Sequence, residues 1–461
     1  MLIRFRVKNY LSYKEEACLS LVPGRVQTHK DHVFKDEDHS RSSIPVLKAA
    51  FIFGANASGK SNLIKAMSAA QHFIRGAKRR ATKPAYFRLD KKSAEEPTSY
   101  IFEFKINSAN YEFGFRMLAG VVVEEWLSEV KKNSDKNIYF RTSIGNGASE
   151  FENGLDLPAK EKQFFEFTQK GTKDNKLFLT ECEDRNISSN IEEIKPISDA
   201  LEWFEEKLRI VFPHTKQNGL EFALDRNVDF AVPFEKFLKI FDTGIGKLQL
   251  TELKDPEKDI YDLPAGLIEE LHADMDEEQE NFLIASPNNT RYLFSVNKLK
   301  DLIAKKLTTV HFDNDGNKVH FDLEDESDGT QRLLDLIPGM LSVMLSESVL
   351  IVDEFDRSLH PDITNSFVHS FLNNCTALKS QIVVTSHDLG LLRNDLLRKD
   401  EVWLTQKSSS GESTLYSLNE FSDIRNDTDI EKGYRLGRYG GVPIISNFSP
   451  EDFFPEDISK E

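Results

Sequence analysis

The hydrophobic positions near the start of the chain alternate with polar ones, as they do in a half-buried strand. This alternation, LIRFRVKNY, is followed by a second short strand pattern, a polar loop over residues 24–43, and the continuous apolar run IPVLKAAFIF. Such a run predicts a strand that is buried on both faces. Beyond it, apolar residues recur with the spacing of a helix packed on a sheet. They are Leu63, Ile64, Met67, Phe73 and Ile74.

The middle of the chain changes its pattern twice. From Thr98 to Phe140, short alternating runs such as SYIFEFKI and VVVEEWL predict an antiparallel β subdomain. Residues 159–213 are helical in character, and the acid-rich residues 255–280 are expected to be solvated. We therefore expect a strand-rich segment followed by a mainly helical one.

The last third of the chain returns to strands. The stretch TTVHFDNDGNKVHFDL, which begins at Thr308, predicts a hairpin with Asp315 and Gly316 in its turn. From there to about residue 417 the pattern alternates between helix and apolar strand. No heptad repeat is sustained over several heptads, so we expect no long coiled coil.

Residues 54–61, GANASGKS, match the phosphate-binding pattern G-x-x-x-x-G-K-[ST] between a predicted strand and a predicted helix. In such a loop backbone N–H groups wrap phosphates at the helix start, the lysine reaches the β- and γ-phosphates, and the hydroxyl ligates Mg²⁺. No guanine-specific motif is recognisable, so we predict ATP and Mg²⁺ as cofactors. The candidate nucleotide contacts in this loop are Gly54, Asn56, Ser58, Gly59, Lys60, Ser61 and Asn62.

Two adjacent carboxylates follow another apolar strand, Val349–Val352. Beside a phosphate-binding loop, Asp353 is expected to share the metal with Ser61, and Glu354 to orient or deprotonate the attacking water. The next apolar strand ends in Ser-His-Asp, and its His387 is expected to reach the γ-phosphate. The predicted catalytic residues are Glu354, His387 and Lys60.

A second phosphate-binding helix start is indicated by SDGTQ, which places Ser327 and Gly329 before a helical run. It has no obvious partner within one subunit. This arrangement resembles the ABC-type ATPases, in which the signature helix of one head closes over nucleotide held by another. That resemblance implies nucleotide contacts from Ser327 and Gly329 in a head-to-head dimer. It also matches FDRSLHP with the D-loop, placing Asp356 or Ser358 near the dimer seam, although Asp328 and Thr330 depart from the commonest signature.

The large separation of the two halves of the site resembles the SMC and RecF-like branch of that class. Several short blocks in order, among them FRVKNYLSYKEEACLSL, NASGKSNLIKAM, NKLFLT, FDTGIGKL, DEFDRSLHP, TSHDLGLL and YRLGRYGGVP, resemble the RloA/AbiLi-type ATPases, relatives of the OLD-family head. This resemblance implies a regulatory ATPase of bacterial phage defence. Its expected partners are a second copy, a phage-derived trigger and a separately encoded effector, a Toprim-like or HNH nuclease.

Composition narrows this picture. The 461 residues carry a net charge of −17, which argues against a whole-surface nucleic-acid binder. Three distant cysteines indicate neither a disulfide framework nor a zinc site. No apolar run approaches the ~20 residues of a membrane span, and the N-terminus lacks a signal-peptide pattern. We expect a soluble cytoplasmic protein without a membrane partner.

Two rival functions remain open at this stage. The basic stretch RGAKRRATK, residues 75–83, would suit a RecF-like repair ATPase that binds nucleic acid, although a solvated helix end is the favoured interpretation. An ATP-dependent scaffold for an effector is the other alternative. A Gly- and Arg-rich block near the end is interpreted as a tail packed on the sheet, with a phosphate-proximal loop as the alternative. Its expected anchors are Tyr434, Leu436 and Tyr439.

The predicted fold class is α/β, an ABC-type P-loop head with an antiparallel β subdomain. The expected division places an ATPase lobe with the β subdomain at residues 1–155 and a mainly helical insertion at residues 156–304. Residues 305–461 would carry the signature, the acidic pair, the histidine and the tail. The first and last segments are expected to form one discontinuous ATPase domain.

Overall fold

The computed structural model describes most of the chain. The described residues are 1–35, 44–76, 85–131, 134–187, 192–216, 220–226, 231–264, 266–267, 282–285, 290–296, 302–374, 378–422, 424 and 428–443. In chain order the strands are β1 (Leu2–Lys8), β2 (Ala17–Ser20), β3 (Val33–Phe34), β4 (Val46–Leu47), β5 (Ala49–Gly54), β6 (Thr98–Ile106), β7 (Ala109–Leu118), β8 (Val121–Glu129), β9 (Lys136–Gly145), β10 (Ala148–Asn153), β11 (Leu208–Val211), β12 (Lys247–Glu252), β13 (Phe282–Ala285), β14 (Arg291–Val296), β15 (Leu302–Phe312), β16 (Lys318–Asp322), β17 (Val349–Val352), β18 (Gln381–Thr385), β19 (Val402–Lys407) and β20 (Ser413–Ser417).

Helices account for most of the remaining regular structure. The α-helices are α1 (Lys60–Ile74), α2 (Ala159–Gly171), α3 (Phe178–Asp184), α4 (Lys195–Glu202), α5 (Leu220–Arg226), α6 (Ala231–Ile240), α7 (Pro256–Asp259), α8 (Asp328–Leu345), α9 (Pro361–Asn374) and α10 (Ile430–Arg435). Trp203–Lys207 adds a π-helical turn directly after α4. Among the described residues no helix is long and apolar enough to cross a membrane.

A six-stranded sheet forms the centre of the fold, in the order β11-β17-β18-β5-β19-β20. Its strands are parallel except at the β19–β20 edge, so most of their carboxyl ends meet at one edge. Along β5, Ile52 faces one apolar core and Phe53 faces another. Both faces of this strand are therefore buried, as the continuous apolar run predicted.

An antiparallel sheet of seven strands covers one side, in the order β10-β9-β8-β7-β6-β1-β2. The N-terminal strands thus complete the β subdomain predicted for Thr98 to Phe140. Helix α1 shares this sheet's core, whereas α8 and α9 cover the opposite face of the central sheet. The central sheet is buried between these two layers.

The middle of the chain contains the predicted helices and also strands that its pattern did not reveal. Strand β11 lies within the expected insertion yet pairs with β17 of the central sheet. Strands β12 to β16 form a further antiparallel sheet, in which β15 and β16 are the predicted hairpin. Only four residues long, β11 is too short for a periodicity to identify it.

The predicted α/β fold with an antiparallel β subdomain is confirmed, whereas its assignment to the ABC type remains a prediction. The longest helix in the described part of the chain, α8, has 18 residues, in agreement with the absence of a long coiled coil. The division at residues 155 and 304 remains a prediction. The basic residues Lys78, Arg79 and Arg80 lie outside the described residues.

The buried amide of Gln381 joins the two large sheets. Its Oε1 accepts from the N–H of Leu2 at 2.6 Å, and its Nε2 donates to the carbonyls of Leu2 and Leu47 at 3.0 and 2.8 Å. Gln381→Leu would leave three buried backbone groups without this partner. We expect it to lower the free energy of unfolding by about 2–4 kcal/mol, measured as a lower urea midpoint. The exposed Gln163→Leu is the matched control, and equal midpoints for both variants would contradict this role.

Candidate active site

The phosphate-binding loop joins the carboxyl end of β5 to the start of α1. Gly54 and Gly59 have φ of 155° and 122°, which side chains rarely allow. A Cβ on Gly54 would lie 2.4 Å from Thr405 Oγ1, and one on Gly59 would lie 2.5 Å from Ser413 Oγ. Both glycines are therefore required by backbone conformation and by close packing.

The lysine of the loop turns back onto the loop itself. Lys60 Nζ donates to the carbonyls of Gly54 at 2.7 Å and Ala55 at 3.1 Å. Burial lowers the pKa of Lys60 to about 8, although the nearby carboxylates of Asp353 and Glu354 oppose this shift. The ammonium is thus held among backbone oxygens, in a place where phosphate oxygens would be better partners.

The carboxylate of Asp353 is the centre of the site. It is almost fully buried at the end of β17 and accepts from Ser61 Oγ at 3.0 Å and Thr385 Oγ1 at 2.7 Å. Ser61 lies on α1 and Thr385 ends β18, so the hydrogen bonds bring together three elements. The predicted metal-binding pair, Ser61 and Asp353, therefore lies in direct contact.

Glu354 follows Asp353 in a left-handed conformation with φ of 51°. Its backbone N–H donates to Thr385 Oγ1 at 2.8 Å, while its half-exposed side chain accepts from Arg357 Nη1 at 3.5 Å. The Glu354 side chain is therefore partly open to solvent beside a buried Asp353, as a residue that handles water must be.

Asp356 and His387 are connected through the backbone. Both carboxylate oxygens of Asp356 accept from the His387 N–H, at 3.1 and 3.3 Å. Burial, with a further contribution from Lys60, lowers the pKa of His387 below its ordinary value despite the opposing effect of Asp356. The imidazole is therefore neutral near pH 7 and offers one N–H donor.

Of the predicted nucleotide contacts, two have other hydrogen-bond partners and one is exposed. The Ser58 hydroxyl is hydrogen bonded to Thr405 Oγ1 at 2.5 Å, and Asn62 Nδ2 donates to Ser12 Oγ at 2.7 Å. These two hydrogen bonds attach the loop and the start of α1 to Thr405 and Ser12. Asn56 is exposed at the loop tip.

The signature segment lies at the start of α8. Ser327 caps the helix, since its Oγ accepts from the Thr330 N–H at 3.2 Å. A Cβ on Gly329 would lie 2.7 Å from the Ser358 carbonyl oxygen, so the helix start and the D-loop are in close contact. Among the described residues no hydrogen bond joins Ser327 to the phosphate-binding loop of its own chain.

Asp353 and Glu354 form a turn after β17, called the acidic turn below. Sequence reasoning did not identify two residues whose hydrogen bonds fix this turn. Thr385 bonds to both Asp353 and Glu354, as described above. Arg332, on α8, is buried, and its Nη2 donates to the carbonyls of Asp353 and Glu354, both at 3.4 Å. A hydroxyl at the end of the strand beside the acidic pair was a usable signal for Thr385. A lone arginine on an apolar helix gave no comparable signal.

A cavity of about 640 Å³ adjoins the first half of the phosphate-binding loop. Its walls include Asn56, His387 and the C-terminal residues Tyr434 and Val442. The tail is anchored by Tyr434 and Tyr439 as predicted, but Leu436 is 61% exposed, so its expected anchoring is wrong. Leu436 follows the last turn of the short helix α10 and faces solvent there. The tail packs on the sheet and also borders the loop.

The donor set fits Mg-ATP. The loop provides a helix start whose glycines leave room for a close approach, a buried ammonium and a serine hydroxyl in contact with a carboxylate. Hydroxyl and carboxylate oxygens are the ligands that Mg²⁺ prefers, and it retains water as well. The residues that would hold the ion are Ser61 and Asp353, and Lys60 would meet the phosphates.

Comparison with known proteins identifies the family. Residues 49–393, about three quarters of the chain, match the family described as "AAA domain, putative AbiEii toxin, Type IV TA system". The chain belongs to this family of ATPase domains. Its members use nucleotide with a divalent metal, in agreement with the predicted cofactors. A comparison with curated proteins finds no match.

Two solved structures are similar at low identity. The SMC head domain from Thermotoga maritima is 12% identical with a TM-score of 0.33, and the match covers 90% of this chain and 98% of that one. The SmcHead bound to the C-winged helix domain of ScpA is 14% identical with a TM-score of 0.36, and the match covers 90% and 97%. At these scores the similarities add no detail to the site.

Thr385 is expected to position the acidic turn for hydrolysis. Thr385→Val keeps the shape but removes the hydroxyl that bonds to Asp353 and Glu354. We expect the rate of ATP hydrolysis to fall about 10–100-fold, the range typical of residues that orient metal ligands. Thr385→Ser retains the hydroxyl and should keep most of the activity, measured by phosphate release. A valine variant as active as the serine variant would contradict this role.

The lowered pKa of Lys60 predicts a pH dependence of ATP binding. As pH rises through about 8, Lys60 loses its charge in the unbound protein. In the complex, the negative phosphates of ATP would keep Lys60 protonated. Affinity should therefore fall, by up to about tenfold per pH unit, between about pH 8 and pH 9.5. Fluorescence anisotropy of a labelled ATP analogue measures this. Lys60→Arg keeps its charge, so its ATP affinity should not change over this pH range. If the affinities of wild type and Lys60→Arg fall in parallel as pH rises, the prediction is wrong.

Proposed function

We propose that this protein is a Mg-ATP-dependent regulatory subunit of a bacterial phage-defence system of the abortive-infection type. It would hydrolyse ATP slowly and control a separately encoded effector, a Toprim-like or HNH nuclease, without a nuclease centre of its own. The observation that carries the ATPase part is the contact of Ser61, Asp353 and Thr385, which brings three elements to one edge of the central sheet.

The roles of the residues follow from their positions. Bound Mg²⁺ would neutralise charge on the phosphates, with Ser61 and Asp353 as its protein ligands. Lys60 would exchange its two backbone carbonyl partners for phosphate oxygens. Glu354, open to solvent, would accept a proton from the attacking water. The neutral imidazole of His387 would donate a hydrogen bond to negative charge that develops during the reaction.

A complete site would need two copies of the chain. Ser327 and Gly329 begin a helix of 18 residues and offer an anion-binding helix start. Their contacts are with Thr330 and Ser358, which leaves the helix start available for a second subunit. We infer that nucleotide closes two heads and that hydrolysis releases them, so that occupancy sets a conformational state.

The defence role rests on two observations. The family is described in terms of a toxin of a type IV toxin–antitoxin system. The ordered sequence blocks resemble the RloA/AbiLi-type ATPases, which implies an effector encoded nearby and a phage-derived trigger. The closed and open states of the heads would be transmitted to that effector, and cytoplasmic location follows from such a role.

Mixing two inactive variants tests the two-copy site. Lys60→Ala lacks the phosphate-binding ammonium, and Ser327→Asp keeps a helix-capping side chain but places a negative charge against phosphate. Each alone should have little ATPase activity. A heterodimer would contain one intact composite site, so the mixture should regain up to about a quarter of the wild-type rate if the subunits exchange at random. A mixture as inactive as its components, with exchange shown by mixed-tag pull-down, would exclude sharing between subunits.

Nucleotide-dependent association gives a second test. Glu354→Gln should bind ATP without hydrolysing it, so Mg-ATP should convert this variant to a stable dimer, observed by mass photometry. Lys60→Ala should remain unchanged by ATP. In cells that carry the native locus, both variants should lose phage protection if cycling is required. Full protection by Lys60→Ala would contradict the proposed regulatory role.

A further inference from the structure

A cluster of two histidines and an aspartate lies away from the nucleotide loop. His29, Asp31 and His32 belong to a short 3₁₀ turn, and one potential ligand atom from each lies within 4.8 Å of the others. The turn contacts the amino end of β5, because the Lys48 N–H donates to the His32 carbonyl at 2.9 Å. The phosphate-binding loop follows the opposite end of the same strand. The cluster is therefore separate from the ATPase site.

His32 is held by a buried carboxylate. The ring is 1% exposed, and its Nδ1 lies 3.1 Å from both oxygens of the fully buried Glu401. Glu401 Oε2 also accepts from the Arg398 N–H at 2.9 Å, which fixes the carboxylate in place. Burial raises the pKa of Glu401. In its ionised form Glu401 accepts from the Nδ1–H of His32, which leaves Nε2 with its lone pair. A histidine whose far nitrogen is bound to a carboxylate is typical of metal ligands.

His29 is fixed in the complementary way. Its Nε2 lies 2.8 Å from the Asn394 carbonyl oxygen, an acceptor, so Nε2 carries the hydrogen and Nδ1 keeps its lone pair. Its backbone is left-handed, with φ of 44°. The buried Arg398 supports this conformation, because its Nη1 donates to the carbonyls of Thr28 at 2.7 Å and His29 at 3.2 Å.

Asp31 lies between the two histidines in sequence and has an exposed side chain. The exposed Asp31, the half-buried His29 and the buried His32 thus offer one oxygen and two nitrogen lone pairs. The two imidazole rings are stacked with centroids 4.8 Å apart. Neighbouring ligands of a tetrahedral ion with ~2.1 Å bonds lie about 3.4 Å apart, so the ligand atoms, which lie within 4.8 Å of one another, would have to move closer when the ion binds.

We propose that His29, Asp31 and His32 bind one divalent transition-metal ion. Two imidazole nitrogens and a carboxylate suit Zn²⁺ and also Fe²⁺, Co²⁺ or Ni²⁺, whereas Mg²⁺ and Ca²⁺ prefer sites built from oxygen. Solvent would fill the remaining positions. The ion would fix the N-terminal turn, which the hydrogen bonds of His29 and His32 attach to residues 394–401 ahead of β19. It would therefore stabilise the fold at the sheet edge opposite the nucleotide.

Metal titration of the full chain tests the proposal. The protein is first treated with a chelator and then titrated with Zn²⁺, Fe²⁺ or Co²⁺ in excess Mg²⁺, which occupies the ATPase site. We expect about one equivalent to bind and to raise the melting temperature. With Co²⁺, visible absorption bands should report nitrogen ligation.

Two variants separate this site from other surface histidines. Asp31→Asn, an exposed change that should not disturb folding, and His29→Ala should each weaken binding by at least about tenfold. The exposed His320→Ala, on β16, is the matched control and should bind like wild type. Circular dichroism and unchanged ATP affinity confirm folding. If the wild type binds no ion, or if Asp31→Asn and His29→Ala bind as it does, the cluster is only a hydrogen-bonded turn and the proposal fails.

Discussion

The candidate active site depends on the buried carboxylate of Asp353. It lies at the end of a strand whose neighbours are parallel, so the loops from adjacent strands meet above it. Hydrogen bonds from Ser61 and Thr385 compensate for taking this carboxylate out of water. They also set the distance between the phosphate-binding helix and the acidic turn. The positions of Glu354 and His387 follow from the same arrangement, because the first is adjacent to Asp353 and the second follows the strand that carries Thr385.

Helix α8 extends this arrangement away from the nucleotide. Arg332 contacts the carbonyl groups of the acidic turn, and one turn later Asp335 forms an ion pair with Arg291 of the five-stranded sheet. The same arginine also pairs with Glu221 at 3.3 Å. Breaking a buried ion pair by removing one partner is costly, so these contacts favour movement of the helix together with both of its neighbours. Buried polar contacts along this helix therefore join the acidic turn to the middle region of the chain.

Sequence reasoning identified the parts of the site that depend on local pattern. The loop of residues 54–61, the acidic pair and His387 each follow a strand whose apolar run is evident, and the parallel arrangement then brings them together. It did not identify contacts made by residues distant in sequence. Strand β11 is too short to show a periodicity, and Arg332 has polar partners only because the helix packs against the acidic turn. The exposure of Leu436 depends on the orientation of a six-residue helix, which six positions of sequence cannot determine.

The contact between Gly329 and the Ser358 carbonyl affects how substitutions in this segment are interpreted. Even a methyl group at residue 329 would push against the main chain of the D-loop, before any second molecule is considered. Lost activity in such a variant would report a steric conflict inside one subunit. It would carry no information about what the helix start recognises. Substitutions of the nearby Ser327 side chain leave the contact of Gly329 with the Ser358 carbonyl unchanged. Such substitutions are needed to distinguish a steric conflict within the subunit from a loss of recognition.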